Sequence, residues 1–172
     1  MTSYIDIKNK APEAQGVNKE RDFYTFRGYT MLSRKSQKGL SASMEDYLEM
    51  IFRLSGQAGY TRVLELAAAL HVQPPSATTM IQRLDHEGLV AYERYGTISL
   101  TEEGKQIGAY LLHRHNALEE FLVLLGVADP LIDAERIEHN ISDEAMSGIA
   151  RLLAFFASNP EYREEWLRNL KA

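Results

Sequence analysis

The sequence predicts a mainly α-helical protein carrying one small β-hairpin, and three observations support that class. From residue 43 onward, apolar residues recur at helical spacing over most of the chain. Ser or Thr stands in front of these runs and Gly or Pro behind them, as helix boundaries require. Only L-V-A-Y-E-R-Y-G-T-I-S-L, residues 89 to 100, gathers β-branched and aromatic residues around a central glycine, Gly96.

Residues 1 to 40 keep no sustained period and contain Pro12, Gly16, Gly28 and Gly39, so they are expected to form an extension, partly disordered or docked. The cluster F-Y-T-F-R-G-Y, 23 to 29, is too apolar for a purely solvated tail. From Ser43, Met44, Tyr47, Leu48, Ile51, Phe52 and Leu54 mark a helix behind a Ser cap that ends at Gly56. R-V-L-E-L-A-A-A-L, 62 to 70, predicts a short helix, H-V-Q a tight turn, and P-P-S-A-T-T-M-I-Q-R-L from residue 74 a second helix with proline in its first turn, stopping at Gly88. After the hairpin, Thr101 caps a long helix that runs to Gly126. Its apolar residues cover so much of the circumference that it must bury more than one face. Pro130 leads into a short helix over 133–139, Ser142 caps another that Pro160 limits, and the tail is expected to form a last amphipathic turn or two.

Helix, short helix, turn, second helix and hairpin in that order is the layout of a winged helix-turn-helix. The chain therefore divides into an extension (1–40), a DNA-binding winged helix-turn-helix (41–101) and an all-helical domain (102–172). In the second helix of the motif Ala77, Met80, Ile81 and Leu84 form the buried stripe, which leaves Pro75, Ser76, Thr78, Thr79, Gln82 and Arg83 outward. Small hydroxyl and apolar groups at a helix start suit close approach to a major groove, and Gln82 and Arg83 suit bases or phosphates. In the wing, Arg94, with Tyr92 and Tyr95, is placed to reach the DNA backbone.

The formal charge of −5 gives no general reason to expect nucleic acid, but it is uneven: residues 1 to 40 hold eight Lys or Arg against four Asp or Glu. A DNA-binding surface must be local. No window approaches the ~18 uninterrupted apolar residues of a membrane helix, and the charged N-terminus does not resemble a signal peptide, so no membrane partner and a cytoplasmic location are expected. With zero cysteines, disulfides, thiolate catalysis and any Cys-based zinc or iron-sulfur site are excluded.

Two acidic groupings stand out. Asp46 and Glu49 are i, i+3 on the first helix, and Glu135, Glu138 and His139 sit at i, i+3 and i+4 in D-A-E-R-I-E-H-N. In H-R-H of the long helix, His113 and His115 lie on different faces, so at most one easily joins a shared site. Each group taken alone is commonest as ordinary surface charge. As one set of N and O donors without sulfur, they favour a divalent ion such as manganese, with iron(II), cobalt or zinc as competitors.

In M-E-D-Y-L-E, P-P-S-A-T-T-M-I-Q-R-L, I-S-L-T-E-E-G, H-R-H-N-A-L-E-E-F-L and E-R-I-E-H, the chain from about Ser43 to Phe156 resembles the manganese transport regulator branch of the diphtheria toxin repressor family. Those proteins are metal-activated, DNA-binding repressors. The resemblance places metal ligands at Asp46, Glu49, His115, Glu135, Glu138 and His139, and leaves His113 outside. It implies one or two Mn2+ ions per subunit: the Asp, Glu and long-helix His hold one, His139 helps hold a second, and Glu135 and Glu138 bridge them, with a main-chain carbonyl at Glu135 contributing. Iron-responsive relatives typically carry Met at the position of Asp46 and Cys at that of Glu135, and often continue into an SH3-like domain for which no room remains after residue 172. Asn140 stands where the branch often repeats His.

The expectation is a homodimeric, manganese-responsive repressor of manganese uptake genes that binds operator double-stranded DNA. The metal would join the DNA-binding half to the helical dimerisation half and select the orientation that fits DNA. Iron(II) sensing by the same family is the nearest alternative. A two-metal hydrolase is chemically conceivable but lacks a nucleophile, a substrate pocket or a phosphate loop, so no enzyme is expected. A winged-helix regulator of some other signal, with the carboxylates merely surface, is the third.

Overall fold

A computed structural model describes residues 40–93 and 96–170 of the 172-residue chain. The extension, Arg94 and Tyr95 lie outside the described residues. Helix α1, Ala42–Ser55, is capped by Ser41, whose hydroxyl accepts from Met44 N, and ends at Gly56. Strand β1, Tyr60–Arg62, follows and was not anticipated. Three residues carry no readable period, and its pairing comes from the far side of the motif. Helix α2, Val63–Ala69, begins where the Glu65 carboxylate accepts from Thr61 Oγ1 (2.9 Å) and Arg62 N (3.1 Å). The turn that follows places His71 at φ 53°, and helix α3, Pro74–His86, starts on two prolines.

Strands β2, Val90–Tyr92, and β3, Thr97–Leu100, form the expected hairpin. With β1 they make a three-stranded antiparallel sheet in the order β1-β3-β2, in register at Thr61↔Ile98 and Val90↔Leu100. Helix α4, Glu102–Leu124, is capped by Thr101, which accepts from Gly104 N at 3.0 Å and donates to the Gly88 carbonyl at 2.8 Å.

Helix α5 spans Leu131–Ile137 and helix α6 Asp143–Ser158, with Ser142 as its cap. α5 starts two residues earlier than the expected 133–139, because the Pro130 carbonyl already accepts from Ala134 N. Glu138 and His139 consequently fall at and just beyond its C-terminus. Helix α7, Pro160–Asn169, is longer than the expected turn or two. Its Trp166 indole donates to the Leu124 carbonyl at 2.6 Å, occupying an end-of-helix acceptor of α4.

Two apolar cores result, and α4 serves both. Leu48, Ile51, Leu66, Ile81, Leu84 and Ile98 pack with Ile107 and Leu111 of α4 in the first. Ala117, Leu118 and Leu122 of α4 pack with Ala134, Met146 and Ile149 in the second. Truncating a fully buried leucine of either core to alanine is expected to cost about 2–5 kcal/mol. Two glycines set how closely α4 is approached. A Cβ on Gly104 would lie 1.8 Å from the Leu89 carbonyl oxygen, and one on Gly108 would lie 2.8 Å from Phe52 Cβ of α1. Residues 112 to 116 of α4 thus fall between the two cores, directly beside α1. Among the described residues, no helix is long and apolar enough to cross a membrane.

Candidate metal centre and nucleic-acid interface

At that junction the structure gathers five of the six expected metal ligands into two groups. Asp46, Glu138 and His139 form one, and Glu49, His115 and Glu138 the other; within each, one ligand atom per residue lies within 4.8 Å of the others. Glu138 belongs to both. Its Oε2 lies 2.9 Å from His115 Nδ1, and its Oε1 lies 3.5 Å from His139 Nε2. His139 Nε2 is also 2.8 Å from Asp46 Oδ1. Glu135 is exposed and falls in neither group.

Three elements supply these side chains. α1 carries Asp46 and Glu49 one turn apart, α4 carries His115, and the segment leaving α5 carries Glu138 and His139. Their exposure differs. Glu49, His115 and Glu138 are buried, whereas the Asp46 side chain keeps 47% of its surface open.

Two residues that the sequence reading passed over complete the constellation. Glu45 and Arg114 are both buried, and Arg114 Nη2 donates to Glu45 Oε2 at 2.8 Å. The same oxygen lies 2.9 Å from His139 Nδ1. A signal did exist: Glu45 falls on the same helical stripe as Leu48, Glu49 and Phe52, and a charge on a buried stripe requires a partner. That partner is the arginine between the two histidines of H-R-H. Arg53 donates from Nε to Glu49 Oε1 at 2.9 Å, and Glu119 Oε1 lies 3.7 Å from His115 Nε2.

The electrostatics reflect a concentration of acid. Burial pushes the Asp46 carboxyl above its ordinary range, opposed by the neighbouring His139 and reinforced by the charges of Glu138 and Glu45. Burial likewise raises Glu49, against the pull of Arg53. His115 is raised chiefly by its hydrogen bond to Glu138. His113, outside the constellation, is lowered by burial. Burial is the first cause for both carboxyls, and the neighbouring acids add to it at Asp46 and Glu49 and raise the His115 imidazole, so a positive charge placed here would be favoured. The donors are imidazole and carboxylate only, a set suited to a borderline or hard divalent cation and unsuited to a soft one.

On α3, Ala77, Ile81 and Leu84 are buried and Met80 is partly buried, while Pro75, Ser76, Thr79, Gln82 and Arg83 are exposed and Thr78 is half-buried. The hydroxyls of Thr78 and Thr79 donate to the Pro74 and Pro75 carbonyls, at 2.9 and 3.1 Å. Their donor protons are therefore in use, and what remains to present is methyl surface and acceptor lone pairs.

The pattern described as "Iron dependent repressor, N-terminal DNA binding domain" matches residues 39–98, and "Iron dependent repressor, metal binding and dimerisation domain" matches residues 101–167. Over 131 residues the chain is 45% identical to the HTH-type transcriptional regulator MntR of Geobacillus thermodenitrificans (strain NG80-2), covering 75% of this chain and 92% of that protein. It is 46% identical over 119 residues to the MntR of Shouchella clausii (strain KSM-K16), covering 68% and 83%. Among solved structures it is similar to a manganese-dependent transcriptional repressor in complex with manganese (31% identity, TM-score 0.58, 65% of this chain and 53% of that one). It is also similar to the metal-dependent transcriptional regulator MtsR (26% identity, TM-score 0.60, 67% and 55%). The chain thus spans little more than half the length of those two solved chains. A DNA-binding domain joined to a metal-binding dimerisation domain, with relatives this similar over nearly their full length, leads to one conclusion: the chain belongs to the MntR branch of the iron-dependent (diphtheria toxin) repressor family and is a metal-dependent DNA-binding transcriptional regulator, not an enzyme.

Proposed function

We propose that this protein is a homodimeric, manganese-activated repressor of manganese uptake genes, acting on operator DNA in the cytoplasm. The observation that carries the reading is the way the donor set is divided. Asp46 and Glu49 belong to α1, which packs in the same core as the DNA-facing helix α3, whereas His115, Glu138 and His139 come from α4 and the end of α5. Mn2+ would be held by Asp46, Glu138 and His139, and by Glu49, His115 and Glu138, where it would supply positive charge to clustered acids.

The residues do the rest. With the charges of Glu138, Asp46 and Glu49 offset, their mutual repulsion would be removed, and α1 would be held at a fixed angle to the segment that leaves α5. Fixing that angle fixes α3 relative to the partner subunit, which selects the spacing of successive major grooves. Pro75, Ser76, Thr78, Thr79, Gln82 and Arg83 would meet the bases and backbone there, with Arg94 reaching phosphate. Coupling of this kind is reciprocal: operator DNA must tighten manganese binding by the same factor that manganese tightens DNA binding.

The exposed apolar residues of the helical half, Leu131, Ile132, Leu152 and Phe155 among them, supply a two-fold interface with a second copy. Duplexes selected from a random pool in manganese, followed by fluorescence anisotropy, test the reading. Manganese should raise affinity for the selected duplex by at least about 10-fold and chelator should reverse it. Equal affinity in manganese and in chelator would sink the reading, and activation by iron(II) but not manganese would replace the metal. Zinc should bind more tightly than manganese, so the deciding quantity is DNA affinity rather than metal affinity.

A further inference from the structure

Asp46 and Glu45 are neighbours in the chain and opposites in setting. The Asp46 side chain is half open to solvent, while Glu45 keeps 9% of its side-chain surface exposed and its partner Arg114 keeps 8%. An ion pair withdrawn from water to this extent adds little stability by itself, since desolvating both groups offsets most of their attraction. Its geometry is more informative than its strength. One atom, Glu45 Oε2, receives Arg114 Nη2 at 2.8 Å and meets His139 Nδ1 at 2.9 Å.

We infer that Glu45, braced by Arg114, is the positioning residue for His139, holding its Nδ1 so that Nε2 is the nitrogen turned to Asp46 and Glu138. This rests on the metal-site reading above and extends it to two side chains outside the ligand set. The chemistry leaves one arrangement of the Nδ1 proton. A carboxylate engaged by arginine offers acceptors only, and a guanidinium offers donors only, so the proton on the line between Oε2 and Nδ1 belongs to the imidazole. Arg114 Nη2 also lies 3.4 Å from His139 Nδ1, which would pair two donors. That longer separation follows from two donors converging on one oxygen and is not a bond of its own. With Nδ1 committed, the lone pair available to a cation is on Nε2, and Nε2 faces Asp46 Oδ1 at 2.8 Å and Glu138 Oε1 at 3.5 Å. A carboxylate that orients an imidazole through its far nitrogen also makes the ring a better donor.

The same three residues join three elements. Glu45 is on α1, Arg114 on α4 and His139 just beyond α5, so they add a polar tie between α1 and the helical half to the apolar packing of α1 on α4. A cation then reinforces a contact already present, and the loss of conformational freedom on metal binding is smaller than for two halves that begin unlinked.

The test uses the full-length chain with 15N-labelled histidine and the variants Glu45→Ala and Glu45→Gln, each checked by circular dichroism. In the wild type, metal-free and zinc-loaded, the His139 Nδ1 proton should give a slowly exchanging resonance, and zinc should shift the Nε2 signal. Glu45→Ala should lose the Nδ1 resonance and weaken manganese binding by about 10- to 100-fold in calorimetry. Glu45→Gln keeps an acceptor for Nδ1 and should restore the resonance and part of the affinity. A role in folding alone would lower stability without moving the exchange of that proton. If Glu45→Gln folds with the Nδ1 resonance absent, or Glu45→Ala folds with resonance and affinity both intact, the inference is overturned. Should wild type bind no manganese, the metal-site reading fails instead, while the metal-free resonance still decides the role of Glu45.

Discussion

The two triads that share Glu138 are built from the same chemistry in different surroundings. Glu49, His115 and Glu138 are buried throughout; in the other triad Asp46 is half open and His139 partly so. The buried triad brings its own counter-charges, with Arg53 on Glu49 and Glu138 on His115. The open triad leaves Asp46 half exposed and has the Glu45–Arg114 pair behind His139. A donor set that is dry and internally neutralised resists both loading and loss, while one that keeps an oxygen in solvent exchanges easily. On the proposed reading, a cation would first arrive at the open triad and would be retained at the buried one.

Glu138→Ala breaks the comparison most completely, because it removes the member common to both triads and leaves His115 without its 2.9 Å partner. Manganese affinity should fall by more than the 10- to 100-fold typical of residues that only support a ligand. Manganese should then give no gain in DNA affinity by anisotropy. Retention of half the bound manganese would mean that the triads do not share this carboxylate.

Asp46→Ala and Glu49→Ala separate the two settings. Each should delete one component of a two-component calorimetric isotherm, with Glu49→Ala removing the slowly exchanging ion and Asp46→Ala the rapidly exchanging one. Their effect on folding should be small, since Arg53 is exposed enough to re-solvate and Asp46 already is. Loss of both components from either change would show one ion where two are drawn.

Acidity distinguishes the metal-free from the metal-bound state. Asp46, Glu49 and His115 all have folded pKa values above their ordinary ones. At these three positions the folded chain holds more protons than the unfolded one, so their contribution to stability falls as pH rises, whereas His113, lowered by burial, contributes in the opposite direction. For His115 the contribution is complete below about pH 6.5 and is lost as pH climbs through the raised folded value; for the two carboxyls the loss starts near about pH 4. Manganese competes with those protons, so its affinity should rise over the same window. Between about pH 6 and about pH 8 in chelator the wild type should lose more stability than Glu138→Ala, which lacks the carboxylate that raises His115, while manganese affinity of the wild type increases; equal profiles for the two would contradict the placement of His115.

Most of the architecture was legible because it is encoded locally. Thr101 and Ser142 cap their helices through hydrogen bonds to nearby amides, Ser41 does so for α1 two residues before the Ser43 at which its period begins, and Gly56 and Gly88 stand just beyond α1 and α3, all within a few residues of the chain. β1 was not legible, since its three residues acquire meaning only when Thr61 meets Ile98, 37 positions away. The site divides along the same line. The i, i+3 and i, i+4 spacings singled out Asp46, Glu49, Glu135, Glu138 and His139, each group reading alone as ordinary surface charge until the resemblance joined them, whereas Glu45 and Arg114 meet only as a pair 69 residues apart. A periodicity argument treats each as an isolated charge, and only packing α1 on α4 makes them complementary.

The smallest effect is expected from Glu135→Ala, and it sharpens the comparison by asking where α5 ends. Glu135 is exposed in the last turn of α5 and belongs to neither triad, while Glu138 is its C-cap with helical φ and ψ of −60° and −32°. Glu135 reaches the ligand set only if that last turn rotates toward Glu138 as charge accumulates there. On the geometry of the metal-free chain, Glu135→Ala should lower manganese affinity by less than about 10-fold, well short of Glu138→Ala. A loss as large as that of Glu138→Ala would mean that α5 turns on loading, which hydrogen exchange of the 134–140 amides with and without manganese would register independently. In that case Glu135 and Glu138 act together as bridges; otherwise Glu138 links the two triads alone.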